Sequence, residues 1–95
     1  MLLISTKNGE VYKLVRGKYK QKTLSQTEYR MLLLLAGNNK VMFGEISEKI
    51  YQEKDPKYYK HCIYATISRI KRKLGIQINS FSKYGYQTDE IIYIE

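Results

Sequence analysis

A chain of 95 residues makes one small domain, burying roughly 60 to 70% of the surface its unfolded form exposes. Its 17 Lys and Arg against 9 Asp and Glu give a formal charge of +8, which suits a polyanionic partner, either nucleic acid or an acidic membrane surface. The single cysteine, Cys62, excludes an internal disulfide framework and fits a reducing cytosol. The start MLLIS is too short for a signal-peptide apolar region, and the longest apolar run, residues 31–36, falls far below the roughly 20 residues of a bilayer span. A soluble, cytoplasmic protein is expected.

The first 24 residues read as strands, LLIS, EVYKLVR and KYKQKT, with turn signals at Asn8-Gly9 and at Gly17. In the third strand Lys18, Lys20 and Lys22 alternate with Tyr19, Gln21 and Thr23 and so share one face. Lysines there keep a sheet soluble and its edge unpaired; a phosphate-facing fringe is the functional alternative. Ser25 and Glu28 then form a capping box ahead of a helix in SQTEYRMLLLLAG, ending near Gly37 with Asn38-Asn39 as the turn. A shorter helix follows over about 44–51, with Ile46 and Ile50 at helical spacing.

Asp55 and Pro56 suit the N-cap and first position of a third helix, about 57–74, which Gly75 closes. Beyond it IQINSF, the turn SKYG and YQT read as a C-terminal β-hairpin, with IIYIE as an extra strand. The expected class is α+β in a single domain. An N-terminal antiparallel sheet (1–24) precedes a three-helix core (25–75), then a hairpin and tail (76–95).

Charge is unevenly spread: residues 1–24 carry a net +5 and residues 54–73 a net +6, while 25–53 and 74–95 are slightly acidic. On the third helix Ile63, Ile67, Ile70 and Leu74 form a core stripe. Opposite run His61, Ala65, Ser68 and Arg72, flanked by Lys57, Tyr64 and Lys71 on one side and Tyr58 and Arg69 on the other. Small residues in mid-face let a helix backbone approach a surface closely, and the polar residues around them bond to base edges and phosphates. The plainer reading of Arg69, Lys71, Arg72 and Lys73 is that cations favour the negative end of the helix dipole.

The order of elements matches a helix-turn-helix followed by a two-stranded wing. With these residues in hand the chain resembles the OmpR/PhoB-type winged-helix DNA-binding domains of bacterial transcriptional regulators. The family pattern L-T-x-x-E-x-x-L-L-x-x-L is met by Leu24, Ser25, Glu28, Met31, Leu32 and Leu35, and L-x-x-x-V-W by Ile46, Ile50 and Tyr51. Its V-D-V-H-I-x-x-L-R-x-K-L helix is met by IYATISRIKRKL, residues 63–74, and its R-G-x-G-Y wing by Ser82, Lys83, Tyr84, Gly85 and Tyr86.

The resemblance spans nearly the whole chain. It implies a double-stranded DNA-binding regulator with Tyr64, Ala65, Ser68, Arg69, Lys71 and Arg72 in or beside the major groove. Lys83 and Tyr84 would then lie at the minor groove or backbone. Tyr64 replaces the family's Asp and Ser82-Lys83 its Arg-Gly, so no base preference transfers; Met42 stands where the family's second helix has a Ser or Thr cap.

Lys57 and His61 complete the expected DNA-facing set. A homodimer on DNA is expected because one module buries little surface, and the loop 51–57 occupies the position of the family segment that touches RNA polymerase. The family's usual receiver domain or membrane span does not fit in 95 residues, which implies control through abundance, a partner or competition for sites, or a switch in a missing part.

No catalytic constellation, nucleotide-binding glycine pattern, cofactor or small-molecule ligand is indicated, so no enzyme is expected. His61 and Cys62 lack a second His or Cys to complete a metal site. A reading from another class is an interaction module or non-specific DNA-binding accessory, in which the apolar tail adds a strand to a partner or a second copy. Against it stands the simpler role of closing the domain's own sheet.

Overall fold

The computed structural model describes residues 1–52, 59–81 and 85–95. Three N-terminal strands form where the alternation predicts them: β1 (Leu2–Ser5), β2 (Glu10–Val15) and β3 (Lys18–Lys22), paired antiparallel in sequence order. The β2–β3 connection is Arg16-Gly17, both at positive φ (51° and 79°), the condition of the two-residue turn whose twist matches the strands. Leu2, Ile4 and Val11 face inward and are buried, whereas β3 is exposed on both faces except at Lys22.

Helix α1 (Gln26–Asn38) starts on the expected box: Glu28 N–H donates to Ser25 Oγ at 3.2 Å and Ser25 N–H to Glu28 Oε1 at 2.8 Å. It runs through Gly37 and stops at Asn39, whose left-handed backbone (φ 59°) makes the cap. Asparagine tolerates that conformation better than most residues, so the helix ends one residue beyond Gly37, within the expected Asn38-Asn39 turn. Met31, Leu32 and Leu35 are fully buried along its inner face.

A short strand that the sequence does not announce, β4 (Lys40–Met42), leads directly into α2 (Phe43–Tyr51). Met42 supplies no side-chain cap, but its N–H donates to Glu45 Oε1 at 3.3 Å, half of a capping box. Helix α3 (Lys60–Leu74) ends at Gly75, whose φ of 62° lets its N–H reach Lys71 O at 2.8 Å. The expected start at Asp55 and Pro56 lies outside the described residues; Tyr59 precedes α3 and stacks on Tyr51, ring centres 4.3 Å apart and ring planes nearly parallel.

After α3, Ile76 and Ile78 are buried in alternation, and β5 (Asn79–Phe81) pairs antiparallel with β6 (Gly85–Gln87). The expected hairpin is therefore paired, with β4 as a third strand beside β6. A Cβ on Gly85 would stand 2.6 Å from Val41 O, so this position accepts only glycine without the strands moving apart. The turn itself, with Lys83 and Tyr84, lies outside the described residues.

The tail corrects the expected layout. Strand β7 (Ile92–Ile94) does not extend the hairpin; it pairs parallel with β1, so the N-terminal sheet is mixed and four-stranded, in the order β3-β2-β1-β7. The pairing is anchored by Leu2 N–H to Ile91 O and Glu95 N–H to Ile4 O, both 2.8 Å. Buried Thr88 turns the chain toward it, donating Oγ1–H to Gln77 O at 2.6 Å and accepting from Glu90 N–H at 3.1 Å. The fold is α+β, three helices and two sheets around one core that draws on every helix, on both sheets and on the Ile76–Ile78 segment.

Candidate nucleic-acid interface

Helix α3 is divided as its sequence predicts. Ile63, Ile67, Ile70 and Leu74 are buried, and His61, Tyr64, Ala65, Ser68, Arg69, Lys71 and Arg72 are exposed. Lys57 and Tyr58 lie outside the described residues. The helix holds no acidic residue of its own to offset its outward cations.

Its four clustered cations divide into two pairs. Glu28 is 1% exposed, yet Arg69 Nε donates to its Oε2 at 3.0 Å and Lys73 Nζ to its Oε1 at 2.8 Å. Arg69 Nη2 also donates to Thr66 Oγ1 at 3.1 Å, and Thr66 Oγ1–H to Cys62 O at 2.7 Å. Burial alone raises the Glu28 pKa; the bonds from Lys73, the Ser25 amide and Arg69 outweigh it and bring the carboxyl from 4.5 down to about 2. One carboxylate at the start of α1 thus fixes the C-terminal half of α3.

Lys71 and Arg72 form no ion pair among the described residues. Among those residues they meet no acid, unlike Arg69 and Lys73, although both pairs sit in the same two turns. Arg69 keeps a side chain 44% exposed, with Nε and Nη2 held by the protein.

Tyr64 is anchored as well as exposed. Its ring meets Phe43 edge-on at 5.7 Å and Tyr86 at 6.3 Å, and those two meet each other at 5.3 Å, joining α2, α3 and β6. Burial, with the Tyr64 hydroxyl nearby, pushes the Tyr86 phenol up to about 12. Lys60, which the sequence reading did not select, sits 5.8 Å from the Tyr64 ring centre one turn earlier, a cation–π spacing. Its signal was the i, i+4 relation of Lys60 and Tyr64.

Open grooves flank the α3 face. One, about 360 Å³, runs between Tyr64, Ser68 and Lys71 of the helix and Asn79 and Ser80 of β5. The other, about 410 Å³, lies between His61, Ala65 and Arg69 and the entry of α1. Ser68 borders the first groove and Ala65 the second, so the ridge between them carries small side chains.

Family models, curated proteins and solved structures give no match to this chain. An N-terminal four-stranded sheet followed by three helices is compatible with the OmpR/PhoB-type architecture. Among the described residues no three His, Cys, Asp or Glu side chains gather as metal ligands, and no helix is long and apolar enough to cross a membrane. Cys62 is a free, exposed thiol beside exposed His61.

Proposed function

We propose that the chain is a sequence-specific, double-stranded DNA-binding transcriptional regulator of winged-helix type. In this reading α3 lies in the major groove, and the β5–β6 turn, with Lys83 and Tyr84, reaches the adjacent minor groove or backbone. The observation that carries it is the exposed α3 face: Ala65 and Ser68 in the middle, Lys60, His61, Tyr64, Lys71 and Arg72 around them, and no acid on the helix. A duplex admits an α-helix in its major groove, and small residues at the point of contact allow close approach.

The roles follow from side-chain chemistry. Arg72 and Ser68 read base edges, Lys60 and Lys71 meet phosphates, and Tyr64 and His61 flank the reading surface. Arg69, bonded to Glu28 and Thr66, holds the helix at its angle while its exposed remainder lies beside the groove. A single module buries little surface, so two copies on paired half-sites supply the affinity.

The test is fluorescence anisotropy on duplexes selected from random DNA, with unselected DNA as control. Arg72→Ala is expected to weaken the selected site about 10- to 100-fold and random DNA far less, and Ser68→Arg to do the same by obstructing the ridge. Equal weakening on both pools would reduce α3 to a phosphate contact and overturn groove reading.

A further inference from the structure

The N-terminal sheet has two open edges of opposite character. On β3, Lys18, Lys20 and Lys22 carry no acidic partner among the described residues. At the far edge β7 is bracketed by Asp89 and Glu95, which likewise pair with no cation, whereas Glu90 is taken by the terminal ammonium of Met1. Of the large apolar side chains exposed among the described residues, all but Tyr64 belong to this sheet or its ends: Met1, Tyr19, Ile91, Tyr93 and Ile94.

The backbone is ready for pairing on both sides. Leu2 N–H bonds Ile91 O, and Glu95 N–H bonds Ile4 O, so alternation along β7 turns the peptide groups of Ile92 and Ile94 outward. On β3 the two-residue turn makes Val15 and Lys18 the closing pair, which turns Tyr19 and Gln21 outward. Two outward residues on each edge match in number.

We propose that β3 of one copy pairs with β7 of the next, extending the sheet head to tail between copies of this chain. Strands β3 and β7 both run parallel to β1, so a second copy related by translation brings them together as a parallel pair. Lys22 then lies toward Glu95, and Lys18 toward Asp89. The charges select this pairing: β3 against β3 sets lysines against lysines, and β7 against β7 sets acids against acids. Such a contact is heterologous and does not close on itself, so it builds open rows rather than a two-fold dimer. It involves no α3 residue and holds without DNA, going beyond the regulator reading and standing apart from it.

Sedimentation velocity on the protein alone tests it, at roughly 0.05 M and 0.5 M salt. The weight-average mass of the wild type is expected to rise at least about twofold with concentration at low salt and to fall back at high salt. Two variants, Lys18→Glu/Lys20→Glu/Lys22→Glu and Asp89→Lys/Glu95→Lys, are each expected to stay monomeric, with circular dichroism confirming that they fold. Mixed in equal amounts, they present opposite edges to each other again and are expected to recover the wild-type mass. A mixture no heavier than its components, or variants that associate as the wild type does, would overturn the proposal. A wild type monomeric at low salt would also overturn it and leave the β7 edge to a strand of another protein.

Discussion

Glu28 does two jobs with one carboxylate: it caps α1 and anchors Arg69 and Lys73 of α3. Glu28→Gln keeps the shape but leaves two cations side by side against a neutral amide, and it is expected to lower stability at pH 7 by about 3 kcal/mol. The pH dependence follows from the carboxyl's drop from 4.5 to about 2. Above the unfolded value both states are ionised and the contribution is complete. Below it the unfolded chain takes up the proton first, so stability drains away as pH falls toward the folded value. Urea denaturation of wild type and Glu28→Gln is expected to show a gap at pH 7 that has shrunk by about 2 kcal/mol at pH 3. A gap independent of pH would mean that the pairing is not electrostatic. Sequence reading recognised Glu28 as a cap and grouped Arg69 and Lys73 with the other cations of α3. Helical spacing places a residue on a face but does not say which distant carboxylate meets it, so the split between anchoring and free cations required tertiary structure.

At the scale of elements, strong local patterns were legible. The three N-terminal strands alternate, Ser25 and Glu28 announce α1, and the isoleucine stripe of α3 identifies its buried face. Strand β4 was not, because three residues carry no period and its pairing with β6 is set across more than forty positions of chain. The tail IIYIE reads as a strand from composition, yet its parallel pairing with β1 joins opposite ends of the sequence, which no local pattern encodes. That placement changes what truncation measures. Removing residues 91–95 takes away the β1–β7 ladder, the flanking backbone hydrogen bonds to Leu2, Ile4 and Thr6, and the packing of half-buried Ile92. The truncated chain is expected to lose about 3 kcal/mol or more, read as a lower thermal midpoint. An unchanged midpoint would mean that β7 adds nothing to the sheet's stability.

Across the whole molecule, the count of 17 Lys and Arg overstates what is available to a polyanion. Lys73 and Arg69 share the single negative charge of Glu28, while Lys71 and Arg72 on the α3 face meet no acid among the described residues. Each cation that replaces a counterion at a phosphate adds about 0.9 to the slope of log affinity against log salt. On the DNA-binding reading, Lys71→Ala is therefore expected to flatten that slope on random duplex by about one. Lys73→Ala is expected to leave the slope as it is and instead lower stability, because it removes a partner from buried Glu28. Anisotropy titrations of the three proteins across a salt series, beside their denaturation midpoints, separate the two roles. Equal slope changes in both variants would put Lys73 on the phosphate backbone and release Glu28 from its place as the anchor of α3.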